Sequence, residues 1–385
     1  MDARRLLTLA VGATLVAVGG LRSPATAQTV PAPSPSPTAA PTPKPLVFDG
    51  YGDAGVTTVG GANSLKFVNG GNARVFDFAT DKAVLQAVDL RLTDNQPLGG
   101  RVELSLGSDA NVIAPFGMPN AANFNIMQAY ANYTLGKLTL AGGKYVTLAG
   151  AESIRSIDDV NFSRSILFGY AVPFTHTGIR FTYAASSALS FVAGVNNGWD
   201  DFRDTNAQKT FEGAILYTPS AKFNLTAQGY SGVEQISNFP VSGSGGNRAL
   251  IDIVATYKPA DPTTLVLNID AASQANAPLL NGAGTPVGTG SASWGGVAGY
   301  LTQQFSPKIS GTLRLETFGD NGGYRTGFDQ HWREGTVTLA YAPTAPLLFR
   351  GELRADNSNQ PVFTNANGTG RTSLTTFGFE ALYRF

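Results

Sequence analysis

The sequence predicts an all-β fold, a transmembrane antiparallel up-and-down barrel of about sixteen strands. Three observations predict it. From Leu46 onward, segments of about ten residues alternate apolar and polar side chains, the length of a tilted strand crossing a bilayer. Tight turns strictly alternate with long polar loops, which gives a barrel short connections at one end and long ones at the other. The stretch FGFEALYRF keeps its alternation to Phe385, with Phe377, Phe379, Ala381 and Tyr383 on the same face, although chain ends fray unless something ties them down.

Composition agrees. Only 14% of residues are charged, against about a quarter in ordinary soluble domains. With no cysteine, disulfides and thiolate metal sites are excluded. Lys plus Arg equals Asp plus Glu at 27 each, so no nucleic-acid partner is expected.

Taken in order, residues 1–27 are expected to be a signal peptide: Arg4 and Arg5 precede an apolar run over Leu6 to Leu21, and Ala25 to Ala27 supply small residues before a cleavage point. The run is shorter than the roughly 20 residues a spanning helix needs. Residues 28–45 hold seven of the 22 prolines and are expected to form an extended periplasmic linker. Residues 46–385 are expected to be the barrel, with strands starting near 50, 83, 100, 125, 137, 176, 188, 209, 222, 248, 263, 294, 308, 333, 346 and 374. An even strand count puts both termini on one side, expected to be periplasmic. Closure of first strand on last removes every edge, as lipid demands, and sixteen strands should leave a water-filled channel.

Alternation also assigns faces. Val102, Leu104 and Leu106 oppose Arg101, Glu103 and Ser105; Ile309, Leu313 and Leu315 oppose Ser310, Thr312, Arg314 and Glu316; Leu347, Phe349 and Leu353 oppose Arg350, Glu352, Arg354 and Asp356. The same parity gives an expected lumen-facing set of Asp89, Arg91, Arg101, Glu103, Arg180, Glu212, Arg248, Asp252, Asp270, Arg314, Glu316, Glu334, Arg350, Glu352, Arg354, Glu380 and Arg384. Its mixed sign predicts weak ion selectivity, whether the charges meet solutes or simply pair across strands. A cation on the lipid face at mid-depth costs about 2–4 kcal/mol, so Lys144, which parity would turn outward, calls for a bulge at Gly142–Gly143.

The longest loop, residues 149–174, carries Ile154, Ile157, Ile166, Leu167 and Phe168, which are too apolar to stand free in water. It is expected to fold inward and narrow the channel, with Arg155, Asp158, Asp159 and Arg164 near the constriction; the alternative is an external cap packed on neighbouring loops. His176, at a strand start, and His331, expected in a loop, lack the Ser and orienting acid of a hydrolase. Two distant histidines make no metal site. No catalytic residue, metal or cofactor is therefore expected.

Two stretches, NFSRSILFGYAVPFTHTGIRFTY (161–183) and GVNNGWDDFRDTN (194–206), resemble the β-barrel porin family described as OmpL-like. The terminal ALYRF, with Tyr383 and Phe385, is similar to the signal by which outer-membrane proteins engage the barrel-assembly machinery. The resemblance implies a channel in the outer membrane of a Gram-negative cell, with lipid and the assembly machinery as partners. The expected function is passive diffusion of small hydrophilic solutes, by a chain that could be a homo-oligomer. The alternatives are a structural or adhesion barrel whose external loops bind a partner and, third, a lipid-modifying barrel enzyme.

Overall fold

The computed structural model describes residues 46–60, 65–115, 122–236 and 243–385. The signal peptide and the proline-rich linker expected over 1–45 lie outside the described residues. The strands are β1 (Val47–Gly60), β2 (Val84–Asp94), β3 (Leu98–Leu106), β4 (Phe124–Leu135), β5 (Leu138–Val146), β6 (Thr175–Ala184), β7 (Leu189–Asn196), β8 (Thr210–Ser220) and β9 (Phe223–Ile236). They continue with β10 (Gly243–Ala260), β11 (Thr263–Leu280), β12 (Pro286–Ser306), β13 (Ile309–Asn321), β14 (Gln330–Thr344), β15 (Leu347–Ser358), β16 (Phe363–Thr364), β17 (Gly370–Arg371) and β18 (Ser373–Arg384). All but β16 and β17 form one closed antiparallel barrel of sixteen strands. β16 and β17 make a small separate hairpin.

The barrel closes where β1 pairs with β18, from Tyr51 opposite Arg384 to Gly60 opposite Thr375. Phe385 extends the seam: its N–H donates to Gly50 O and the Gly50 N–H donates to Phe385 O, each at 3.0 Å. The ring lies over Gly50 so closely that a Cβ there would stand 2.7 Å from Phe385 Cε2. A glycine opposite the last aromatic is thus a steric requirement of the seam.

Side chains divide as the alternation predicts. Leu313, Leu315, Leu353, Phe377 and Phe379 are exposed on the outside, whereas Arg314, Glu316, Arg350, Glu352 and Arg354 are buried on the inside. An outer surface covered in exposed Leu, Ile, Val, Phe and Tyr would aggregate in water and belongs in hydrocarbon.

Four local expectations are corrected. β10 and β12 start at Gly243 and Pro286 rather than near 248 and 294, because the Gly-, Ser- and Thr-rich stretches still pair with their neighbours (Pro278 with Thr289, Leu279 with Gly288). These extensions carry no row of outward apolar residues, Val287 alone being large, apolar and exposed, as expected of strands that outrun the hydrocarbon band, and they shrink the β11–β12 loop to residues 281–285. The bulge is not at Gly142–Gly143, where β5 stays in register with both neighbours. It falls on β4, between Ile126 and Gln128, and the buried Lys144 ammonium donates to Asn125 Oδ1 and Ile126 O. His331 is a β14 residue paired with Gly319 and exposed, not a loop residue. Arg384 is exposed at the rim rather than lining the interior.

The interior also differs from an open pipe. Near the long-loop end several inward positions are apolar, Tyr230, Leu250, Ala272, Trp294, Phe318, Trp332 and Leu374, among buried polar ones such as Glu234, Asp320 and Gln330. With Leu65, Phe67, Phe76, Phe168, Phe174, Phe328 and Phe363 from the connections they make one buried cluster. Toward that end the inner wall is therefore a mixture of aromatic and polar side chains and not the uniformly polar lining predicted from parity.

Candidate functional site

Segment 149–174 and the wall strands β13 and β15 are joined by a set of hydrogen bonds in which the wall's charges serve the segment's backbone. Irregular backbone cannot be buried unless its N–H and C=O groups find partners. Glu352 of β15 accepts from the Phe162 N–H (2.9 Å) and the Ser163 N–H (3.2 Å). Glu316 of β13 accepts from the Ile166 N–H (2.7 Å) and the Leu167 N–H (3.0 Å), at the start of a short helix, Ile166–Ala171. Ser165 caps that helix by accepting from the Phe168 N–H (2.9 Å), and Glu152, from the segment itself, accepts from the Ser165 N–H (2.6 Å).

The arginines satisfy the carbonyls. Arg314 donates to Ser163 O (2.6 Å) and to Glu152 (2.8 Å); Arg350 donates to Ser156 O (2.7 Å) and Asn161 O; Arg354 donates to Arg164 O (2.8 Å) and Ser163 Oγ (3.1 Å). Alternating Arg and Glu at positions 350, 352 and 354 thus offers donors and acceptors in turn along one face of β15. Each arginine keeps an ion partner as well: Arg314 with Glu334 (3.1 Å), Arg350 with Glu380 (3.0 Å), Arg354 with Asp356 (2.8 Å).

Other strands hold the rest of the segment. The Gly150 N–H donates to Asp252 of β10 (3.2 Å) and the Ala151 N–H to Asn268 of β11 (3.0 Å). Ser156 donates to Asp53 of β1 (2.6 Å) and Asn161 to Thr338 of β14 (2.6 Å). Phe162, 2% exposed, covers two glycines of the seam: a Cβ would lie 2.5 Å from its ring at Gly378 and 2.9 Å at Gly55.

The four charged residues singled out in the segment fall into two groups. Arg155 meets Glu103 at 3.2 Å, Asp158 at 3.5 Å, Asp49 at 3.6 Å and Asp89 at 4.0 Å, with its guanidinium 5.1 Å from the Tyr51 ring centre. Arg164 meets Asp109 and Asp159 at 3.4 Å and Asp77 at 3.8 Å, over the Phe76 ring at 4.6 Å. Burial pushes Asp109 up to about 8 and Asp77 up to about 6, against the opposing pull of Arg164 on both. The Arg164 guanidinium is held protonated by its carboxylates, Asp109 foremost, despite its burial.

The remaining parity residues stay closer to the wall. Arg91 pairs with Asp49 (2.8 Å) and Arg101 donates to Thr93 (3.2 Å). Arg180 grips Glu212 at 2.6 and 3.0 Å and lies 4.1 Å from the Tyr145 ring centre. Arg248 donates to Gln274 (2.7 Å) and Tyr324 (2.6 Å). Asp252 and Asp270 are opposite each other in register, with Gln228 and Asn268 donating to Asp252 at 2.7 Å each. His176 is buried, stacked on Tyr230 at 4.7 Å, with Nδ1 3.3 Å from Gly198 O. Among the described residues no three His, Asp or Glu side chains are grouped to hold a metal ion.

Sequence reasoning missed Arg74, Asp77, Asp109 and Glu152. Arg74 donates to Thr376 (2.6 Å) and Asp356 (3.3 Å), so residues 65–77 also meet the wall. The signal was available: Leu65, Phe67, Phe76 and Phe78 make that connection as apolar as 149–174.

The family described as "Putative beta-barrel porin-2, OmpL-like" matches residues 48–385. A comparison with curated protein sequences gives no match. Among solved structures, the outer-membrane channel DcaP of Acinetobacter baumannii superposes with a TM-score of 0.59 at 13% identity, covering 88% of this chain and 97% of that one. The anion-selective porin of Comamonas acidovorans gives 0.58 at 11%, covering 89% and 99%. The trimer form of OmpT from Vibrio cholerae gives 0.55 at 12%, also covering 89% and 99%. At such identities these likenesses carry the fold alone. The family match spans the whole barrel, and the chain belongs to the OmpL-like β-barrel porins, channels of the outer membrane.

Proposed function

We propose that this porin passes small hydrophilic solutes by passive diffusion along a path narrowed by segment 149–174 folded into the barrel. The observation that carries the reading is that one segment bonds to inward side chains of β1, β10, β11, β13, β14 and β15. A cap lying outside the rim would reach strand ends, not residues as deep in their strands as Arg314 and Arg350. Discrimination then comes from width and from the field of paired charges, with modest ion selectivity. The short-turn end and both chain ends face the periplasm, residues 1–27 direct export and are removed, and the Tyr383–Phe385 terminus engages the assembly machinery. The paired charges act on passing solutes as a field and carry no bond-making chemistry.

Reconstitution in planar bilayers tests the reading. Discrete conductance steps smaller than those of a barrel deleted for 152–168 are expected. Silence from correctly folded protein, in both forms, would overturn it in favour of a barrel whose loops bind an external partner.

A further inference from the structure

The outer face of β14 departs from the apolar rule that the other strands keep. From the short-turn end, Tyr341, Leu339 and Val337 are exposed in the manner of hydrocarbon-facing residues, and then Gly335, Arg333 and His331 follow toward the long loops. Among the described strand residues, Arg333 is the one charged side chain on an outer face short of the strand ends. Its depth follows from strand geometry. Tyr341, with exposed Tyr257, Phe305 and Tyr383 on other strands, marks the aromatic girdle at the short-turn end. Arg333 stands eight residues from Tyr341, which is about 26 Å along a strand and about 20 Å along the membrane normal at a tilt of roughly 40°. The apolar band is about 25 Å tall, so the long side chain reaches the boundary between hydrocarbon and headgroups.

We infer that Arg333 and His331 form a binding site for the phosphate of an anionic lipid in the leaflet at the long-loop end. The exposed Arg333 guanidinium has neither an ion pair nor a hydrogen bond among the described residues, and Asp329, the next position on the same side, is half-buried and pairs with neither Arg333 nor His331. A cation at this level meets lipid phosphate, which the planar guanidinium engages through paired N–H groups. The surroundings leave a headgroup room to come down onto the strands. Thr317 and Asn357 are the register partners of Arg333, and the His331 ring lies over Gly319, where a Cβ would stand 3.1 Å from Nδ1. Below them Leu315, Val337 and Leu353 are exposed and continue the site as a bed for acyl chains. A second copy of the chain is the rival occupant, and charge disfavours it: the outer strand faces carry no carboxylate short of the strand ends, so a contact between barrel walls gives Arg333 no partner.

The test uses the full-length porin in a neutral detergent, with phosphatidylglycerol or phosphatidylcholine adducts counted by native mass spectrometry. Saturable binding of phosphatidylglycerol is expected, about fivefold tighter than that of phosphatidylcholine, the worth of one arginine at an anionic surface. Arg333→Gln should abolish the preference and Arg333→Lys restore part of it. Thr317→Phe, which covers the site and touches no charge, should weaken phosphatidylglycerol binding as well. Lys308→Gln, exposed in the turn between β12 and β13 at the opposite end, should leave it unchanged. These side chains lie outside the barrel, so every variant should keep normal heat-modifiable gel mobility. No preference for the anionic lipid in folded wild type, or a preference indifferent to Arg333→Gln, overturns the inference. Full competition by inorganic phosphate at the lipid's own concentration overturns it in favour of a free-anion site. A change of oligomeric state in Arg333→Gln with lipid binding intact overturns it in favour of a second copy.

Discussion

Replacing Glu352 with alanine should release segment 149–174 while leaving the barrel closed. The carboxylate accepts from the N–H groups of Phe162 and Ser163 and from the Thr338 hydroxyl (2.9 Å). Its removal orphans two buried backbone donors at about 1–3 kcal/mol each, so docking weakens by roughly 2–6 kcal/mol. At 1.4 kcal/mol per tenfold, the undocked population rises by about thirtyfold to twenty-thousandfold. Neighbouring arginines are not stranded, because Arg350 keeps Glu380 and Arg354 keeps Asp356. Hydrogen exchange read on peptides from 149–174 should accelerate by that factor, with amides of β13 and β15 still protected. Conductance in planar bilayers should rise. Glu352→Gln keeps one acceptor oxygen and should fall between. Wild-type protection of the segment in Glu352→Ala would refute the idea that the wall's charges hold its backbone.

Four further outcomes are expected. Gly378→Val puts side-chain atoms where the Phe162 ring lies, a Cβ alone coming within 2.5 Å; it should expose Arg155 and Arg164 to trypsin, seen as a new cleavage product of an otherwise intact barrel. Leu353→Arg, on the outer face near the middle of β15, should lower unfolding free energy in urea by about 2–4 kcal/mol. Gly50→Leu collides with Phe385 and should slow barrel formation, measured by the heat-modifiable gel shift during refolding into lipid. With Asp77 raised to about 6 and Asp109 to about 8, the docked loops hold protons that released loops give up. Their contribution is complete below about pH 4 and is lost as pH climbs through 6 and then 8, so exchange in residues 149–174, corrected for intrinsic rates, should be faster at pH 9 than at pH 5.

Sixteen strands, and most of their starting points, were legible because lipid imposes a strict two-residue period on any segment that crosses it. The period failed where lipid no longer acts: β12 runs on through Pro286 to Ala292 with no outward apolar row, in register with β11 and not yet with β13. Parity also placed Arg314, Glu316, Arg350, Glu352 and Arg354 on the inner face. What it suggested there, charges pairing across strands in a weakly selective wall, describes only half of their bonding. Their other partners lie 149 to 194 positions away in sequence, from Leu167 N to Ser156 O, and no local pattern announces a contact at that range. The apolar character of 149–174 announced that it must be covered and left open by what. For residues 65–77 the same hint stood in the sequence, and only the structure ties Arg74 to β15 and β18.

The rack that holds segment 149–174 bears on the order of assembly. The segment is synthesised before β10, β11, β13, β14 and β15, so its amides and carbonyls have no lasting partners while the second half of the chain is still being made. Conversely, a half-finished sheet bearing Arg314, Glu316, Arg350 and Glu352 presents charge that lipid rejects and water alone can tolerate. Each therefore waits for the other, and the last strand to arrive completes both. A barrel of this kind should be delivered with segment 149–174 already seated, and an inserted barrel with that segment loose would mark a failed product, not an intermediate.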